Sequence, residues 1–139
     1  MRILALDHGE VRVGVAVCDP TETIARPAGV LGPDPAEVLS LATELKAELV
    51  VVGLPLTLSG DEGEQARNAR AYAAELERLL DIGVETYDER LTTRMADTSA
   101  RAGAGAPQDA LAAAHLLESY LQRRAGPAAP TWRTAFLDE

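Results

Sequence analysis

Residues 2–18 read RILALDHGEVRVGVAVC, and the fold turns on how that stretch divides. RILALD (2–7) is apolar on both alternating faces, the pattern of a strand buried inside a sheet. His8-Gly9-Glu10 is a turn. VRVGVAVC (11–18) alternates and then becomes wholly apolar, which predicts a second strand. So short a connection makes the two strands an antiparallel hairpin.

Moving outward, Asp19-Pro20-Thr21-Glu22 is another turn, and a third strand is predicted within residues 23–31. Pro27 interrupts it, so it belongs at a sheet edge, where a missing N–H does least harm. Asp34-Pro35-Ala36-Glu37 is a strong helix start: Asp caps, Pro takes the first helical position, and Glu follows three residues after the cap. That helix is predicted to run to about residue 47. Residues 49–52 form a fourth strand, ended by Gly53-Leu54-Pro55. Ser59-Gly60-Asp61-Glu62 offers a capping box before a helical stripe of Ala66, Ala69, Ala73, Leu76 and Leu80. Residues 82–87 are the fifth strand. Helical propensity returns over 92–101, breaks at 103–106 (GAGA), and resumes in a last helix from Pro107 to about residue 124. The order βββ-α-β-α-β-α-α implies an α/β protein with a mixed sheet and helices packed on it. One domain over residues 1–124 is expected, followed by an Ala/Pro-rich tail, 125–139, whose Trp132 and Phe136 are expected to dock back on the body, with a partner-binding peptide as the alternative.

Composition narrows the function. A chain of 139 residues suits a single domain, and 47% apolar residues exclude wholesale disorder. No apolar run approaches the roughly 18 residues that span a bilayer. The opening MRILALDHGE places an acid and a turn too early for a secretory signal. Cys18 is the single cysteine, which fits a reducing compartment, and with only His8 and His115 beside it no multi-thiolate metal site can form. Any metal must be held mainly by carboxylates, which favours magnesium or manganese, Mg²⁺ or Mn²⁺. A net charge of -9 argues at first against nucleic acid, yet an acidic protein can act on phosphodiesters when cations screen its carboxylates. Lys46 is the only lysine; the other basic residues are arginines, the better bidentate partners of phosphate.

Three acidic positions stand out. Asp7 ends an otherwise apolar strand, where a carboxylate is costly unless it caps the next turn, is paired, or binds a metal. Asp88-Glu89-Arg90 ends the fifth strand. Alternation puts Asp88 and Glu89 on opposite faces, so only one of them joins Asp7 easily, and Arg90 could neutralise the other. Asp109 lies in the first turn of the last helix, an ordinary place for an acid, favoured by the helix dipole. Strand ends in such sheets gather around one crevice, and a helix start could bring a third carboxylate there. Three convergent carboxylates repel unless divalent cations bind. Two such cations could stabilise the attacking and leaving oxygens of a phosphodiester displacement. Gly9 and Gly14 let the hairpin backbone come close to that crevice, although Gly9 is also what the turn itself requires.

LDHGEVRVGVAVCDP (6–20), VVGLPLTLSGDEGEQA (51–66), YDERLTT (87–93) and QDALAAAHLLESYL (108–121) together resemble the YqgF/RuvX family, in family order over residues 1–124. That family is associated with pre-16S rRNA processing and with Holliday junction resolution. The resemblance implies a ribonuclease H-like fold, with a five-stranded mixed sheet in order 3-2-1-4-5 and helices on both faces. It implies a metal-dependent nuclease with Asp7, Glu89 and Asp109 as catalytic, metal-holding residues. It places the family's arginine before the second strand on Arg12. Arg12 and Arg90 are then expected to position phosphates, with Thr92 bonding one or capping a helix. The expected partner is nucleic acid, structured DNA or pre-rRNA, with no membrane, a homodimer as the candidate assembly, and a cytoplasmic location. Residues 102–107 (AGAGAP) carry no positive charge where many relatives have a basic run. That departure favours a rival: a scaffold in ribosome assembly or transcription that kept the fold and lost efficient catalysis. An ATP-dependent phosphotransferase ranks last, for want of a second lobe to enclose a nucleotide.

Overall fold

The computed structural model describes residues 1–91 and 107–125. Five strands, β1 (Ile3–His8), β2 (Val13–Cys18), β3 (Ala25–Leu31), β4 (Leu49–Leu54) and β5 (Gly83–Asp88), form one sheet in the order β3-β2-β1-β4-β5. β1, β2 and β3 pair antiparallel, while β4 and β5 run parallel to β1. The sheet is therefore mixed and in the expected order. β3 is at the edge, where Pro27 opposite Ala16 falls beside a register shift between Val15 and Ala16.

Among the described residues, three helices, α1 (Pro35–Leu45), α2 (Glu64–Leu79) and α3 (Gln108–Ala125), cover the sheet. Alternation along the strands sorts the core. Leu4, Leu6, Val15, Val50 and Val52 pack under α1 and α2, with Val38, Ala69, Ala73 and Leu76 of those helices. Ile3, Ala5, Ala16, Leu49, Val51 and Tyr87 face the other way, onto Ala113, Leu116, Leu117 and Tyr120 of α3. β1 and β4 are buried on both faces, which is why neither shows a polar alternation.

The helix ends show where sequence signals hold and where they fail. Asp34 caps α1 as expected, accepting from the Ala36 N–H at 2.9 Å. That helix stops at Leu45 rather than about 47, because Lys46 turns left-handed (φ 57°) and donates its N–H back to Ala42 and Thr43. The Ser59–Glu62 capping box does not form. Ser59 donates instead to the Asp61 carboxylate at 2.9 Å, and Thr57 N–H to Asp61 O and Gly60 N–H to Thr57 O close a separate turn. α2 starts only at Glu64, behind Gly63 with no side-chain cap. The helix expected over 92–101 and the tail aromatics Trp132 and Phe136 lie outside the described residues.

Candidate active site

Asp7 sits near the C-terminal end of β1 on the face covered by α3, paired in the ladder with Gly14 of β2. Its role is not the local turn, because the Gly9 N–H is given to Arg12 O at 2.9 Å. Glu89 opens a single 3-10 turn (Glu89–Leu91) directly after β5. Its side chain lies 3.1 Å from where a Cβ on Gly53 would stand. Gly53 is thus the gap through which Glu89 reaches back toward β1. Asp7 and Glu89 share a side-chain hydrogen bond, so the two carboxyls meet at the strand ends.

Asp109 reaches the same place from α3. A Cβ on Gly14 would lie 1.9 Å from the backbone O of Asp109, so the first turn of α3 rests directly on the β2 backbone. Asp109 is close enough for its charge to raise Asp7 further. Its own side chain is paired with Arg12, Oδ2 to Nε at 2.5 Å. Among the described residues, no three His, Cys, Asp or Glu side chains stand at a spacing that would hold a metal ion. The structure brings Asp7 and Glu89 together and holds Asp109 beside them, turned to Arg12.

Burial is the largest influence on both members of the pair. It raises Asp7, and it pushes Glu89 up to about 8, with the neighbouring Asp7 charge adding to the effect. Two half-buried carboxyls in contact disfavour double ionisation, so the pair favours holding a proton between them. A divalent cation would relieve the same repulsion. The donors are all hard oxygens, the chemistry that suits Mg²⁺ or Mn²⁺.

Asp88 points to the opposite face and is neutralised by Arg90, Nη2 to Oδ2 at 2.6 Å, which holds its carboxyl below the usual range. The two point to opposite faces as the alternation requires; that Glu89 is the one beside Asp7 is what the family resemblance implies, not the alternation. Thr92 lies outside the described residues. The sequence reading did not single out Gly53 or Ser119. A glycine inside a β-branched strand signals close approach and could have revealed Gly53. Ser119 gave no such signal. Buried within α3, it donates to Leu91 O at 3.0 Å and accepts from the Tyr87 hydroxyl at 2.7 Å, tying the turn that carries Glu89 to the helix that carries Asp109. On the α2 side, His8 stacks on Tyr72 with ring centroids 4.5 Å apart.

A mixed 3-2-1-4-5 sheet with acids converging at the ends of β1 and β5 and at the start of the last helix defines a ribonuclease H-like protein. Among solved structures it is similar to Thermus thermophilus RuvC in complex with a Holliday junction substrate, with TM-score 0.67 and 16% identity over 91% of this chain and 96% of that one. Fowlpox virus resolvase, in complex with Holliday junction DNA, gives TM-score 0.55 and 12% identity over 89% of this chain and 99% of that one. At such identities the likeness speaks for the fold. Sequence goes further. Residues 1–123 match the RuvX family, described as Holliday junction resolvase. A protein of Anaeromyxobacter dehalogenans strain 2CP-1 named "Putative pre-16S rRNA nuclease" is 40% identical over 136 residues, 90% of this chain and 99% of its own. One of the same name from Chloroflexus aurantiacus is 39% identical over 137 residues, 90% of each chain. The chain belongs to the RuvX family of nucleases.

Proposed function

We propose that the chain is a divalent-metal-dependent nuclease that hydrolyses phosphodiesters of structured nucleic acid, with the 5′ end of pre-16S rRNA as its substrate. The observation that carries this is the half-buried Asp7–Glu89 pair at the strand ends, with Asp109 delivered beside it over Gly14. The name shared by relatives about 40% identical favours pre-rRNA over junction DNA. Asp7, Glu89 and Asp109 would hold Mg²⁺ or Mn²⁺, which when bound activates water and neutralises charge on the reacting phosphate. Asp7 and Glu89 would hold such a cation with their carboxylates in the ionised form, and Asp109 would join them from the start of α3. Arg12, paired with Asp109 and with its side chain 67% exposed, is placed to grip a phosphate. Thr92, just past the 3-10 turn, bonds a phosphate or caps the segment that follows.

Residues 1–124 are proposed as the catalytic domain, with 125–139 as a tail. No helix among the described residues is long and apolar enough to cross a membrane. A cytoplasmic location accords with the lone reduced Cys18. A homodimer would present two sites to a two-fold symmetric junction.

The net charge of -9 and the uncharged stretch 102–107 support a second reading, a ribosome-assembly or transcription scaffold with weak catalysis. A cleavage panel separates the two. Pre-16S rRNA fragment, four-way junction, flap and single strands are offered with Mg²⁺ or Mn²⁺, using wild type and Asp7→Asn. The nuclease reading expects cutting of the rRNA fragment that stops in EDTA, returns with Mn²⁺, and is abolished in Asp7→Asn. Preferred cutting of the junction would transfer the assignment to DNA. No cutting of any substrate, or equal cutting by Asp7→Asn, would overturn the metal-site reading.

A further inference from the structure

The β4–β5 ladder ends at the pair Leu54 and Asp88, so Glu89 stands one residue beyond the sheet. Something outside the ladder must fix its backbone if its carboxylate is to stay over Gly53. On the α3 side this is the chain from the Tyr87 hydroxyl through Ser119 to Leu91 O. On the other side is Arg90, whose three guanidinium nitrogens each have an acceptor within the protein. Its backbone N–H gives to Asp88 Oδ1 at 2.9 Å. Its Nε lies 3.0 Å from both Asp88 oxygens, and its Nη2 lies 2.6 Å from Oδ2. The remaining nitrogen, Nη1, donates to the carbonyl of Leu58 in the β4–α2 loop at 3.3 Å.

That loop is shaped to receive it. Gly60 adopts φ +91°, a conformation L side chains rarely take, and a Cβ there would lie 3.3 Å from Arg90 Nη1. Thr57, Ser59 and Asp61 close the loop on itself, with the Asp61 N–H donating to Thr57 Oγ1 at 3.1 Å. The guanidinium grips the Asp88 carboxylate along its Nε–Nη2 edge and the Leu58 carbonyl through Nη1, so its side-on fork is occupied within the protein and not open to a phosphate.

We propose that Arg90 is a positioning residue: with Asp88 it latches the β4–α2 loop to the end of β5 and holds Glu89 in register over Gly53. This rests on Glu89 belonging to the metal site. Asp88 then has a function of its own, as the anchor of the latch on the face opposite the catalytic pair. Lysine cannot replace Arg90, because one ammonium cannot grip both Asp88 oxygens and the Leu58 carbonyl in a fixed plane.

The test is a cycle of Asp88→Asn, Arg90→Lys, Arg90→Ala and the double variant Asp88→Asn/Arg90→Ala. Thermal midpoint, kcat, KM and calorimetric Mn²⁺ affinity are measured for each. The latch predicts that Asp88→Asn and both Arg90 variants lose about 10- to 100-fold in kcat or Mn²⁺ affinity, the range typical when groups orienting a metal ligand are removed. KM should stay within about twofold of wild type, since uniform binding of substrate is untouched. The double variant should be no worse than either single, because both break one device. A phosphate-gripping Arg90 gives the opposite pattern. Asp88→Asn would free the guanidinium and leave kcat intact or lower KM, while Arg90→Ala would raise KM and Arg90→Lys would restore it. That pattern overturns the latch. Glu89→Gln separates this failure from failure of the site: if it binds Mn²⁺ as wild type does, Glu89 is no ligand and the latch falls with it.

Discussion

A methyl group on Gly14 would collide with the backbone of Asp109 at 1.9 Å, whereas the nearest atoms to one on Gly53 belong to the side chain of Glu89, at 3.1 Å. The two glycines flank Asp7 on neighbouring strands, and the difference decides what each substitution does. Gly14→Ala must push the start of α3 off the sheet, and about 3 kcal/mol of stability should be lost. Gly53→Ala meets a side chain that can swing aside, and alanine is a better strand residue than glycine, so stability should stay within about 1 kcal/mol of wild type. Its cost falls on Glu89, and cleavage should drop severely. Denaturant melts beside a cleavage assay check the pair; a Gly53→Ala variant as active as wild type would contradict the placement of Glu89. At this scale Asp7 stood out in the sequence because an aspartate ending an apolar strand is conspicuous, whereas alternation only separated Asp88 from Glu89, and the choice of Glu89 and Asp109 came from the family resemblance. The pairing of Asp109 with Arg12 was not readable. It depends on where the start of α3 lands on β2, a tertiary distance that no local pattern encodes.

Between β2 and β3 the chain turns around one carboxylate. Asp19 accepts from the N–H groups of Thr21, Thr23 and Ile24 and from the Thr21 hydroxyl, and these bonds hold its pKa well below the ordinary value. Glu22, in the same turn, binds the N-terminal amine at 3.2 Å and Arg124 near the end of α3 at 2.8 Å, and is depressed likewise. A carboxyl whose folded pKa is depressed stabilises the fold above its unfolded value, near 4, and loses that contribution as the pH falls toward the folded value. The thermal midpoint of the wild type should therefore fall as pH drops below about 4. In Asp19→Asn, which keeps the side chain's shape but does not titrate, the decline should be shallower. Circular-dichroism melts between pH 5 and pH 2 measure both, and parallel curves would exclude Asp19 as a source of the acid sensitivity. Among the described residues, element order and type were legible because the strands are short apolar or alternating runs between turn residues, β-branched in β2 and β4, and α1 carries its own cap. The start of α2 was not, since Ser59 and Asp61 satisfy each other and leave nothing to cap a helix. Local hydroxyl and carboxylate bonds competing with helix starts produce this ambiguity.

At the scale of the whole molecule, a protein of net charge -9 that cuts a polyanion must import its positive charge. The sheet order came from resemblance rather than from periodicity, since hydrophobic patterns locate strands without ordering them. The convergence of acids at one end follows from that order, because β1 and β4–β5 run parallel and finish side by side. The central claim is that Asp7, Glu89 and Asp109 act as one cation site. As a mere helix-start residue Asp109 would contribute about 0.3–1 kcal/mol through the dipole, and its exposed ion pair with Arg12 little more. Asp109→Asn should therefore fold as wild type does. The direct measurement is calorimetric titration of Mn²⁺ into the wild type and Asp109→Asn at the same pH. Saturable binding to the wild type is expected, with proton release as the Asp7–Glu89 pair ionises, and much weaker binding to Asp109→Asn; equal affinity in the two proteins, or no binding to the wild type, would rule out a shared cation site.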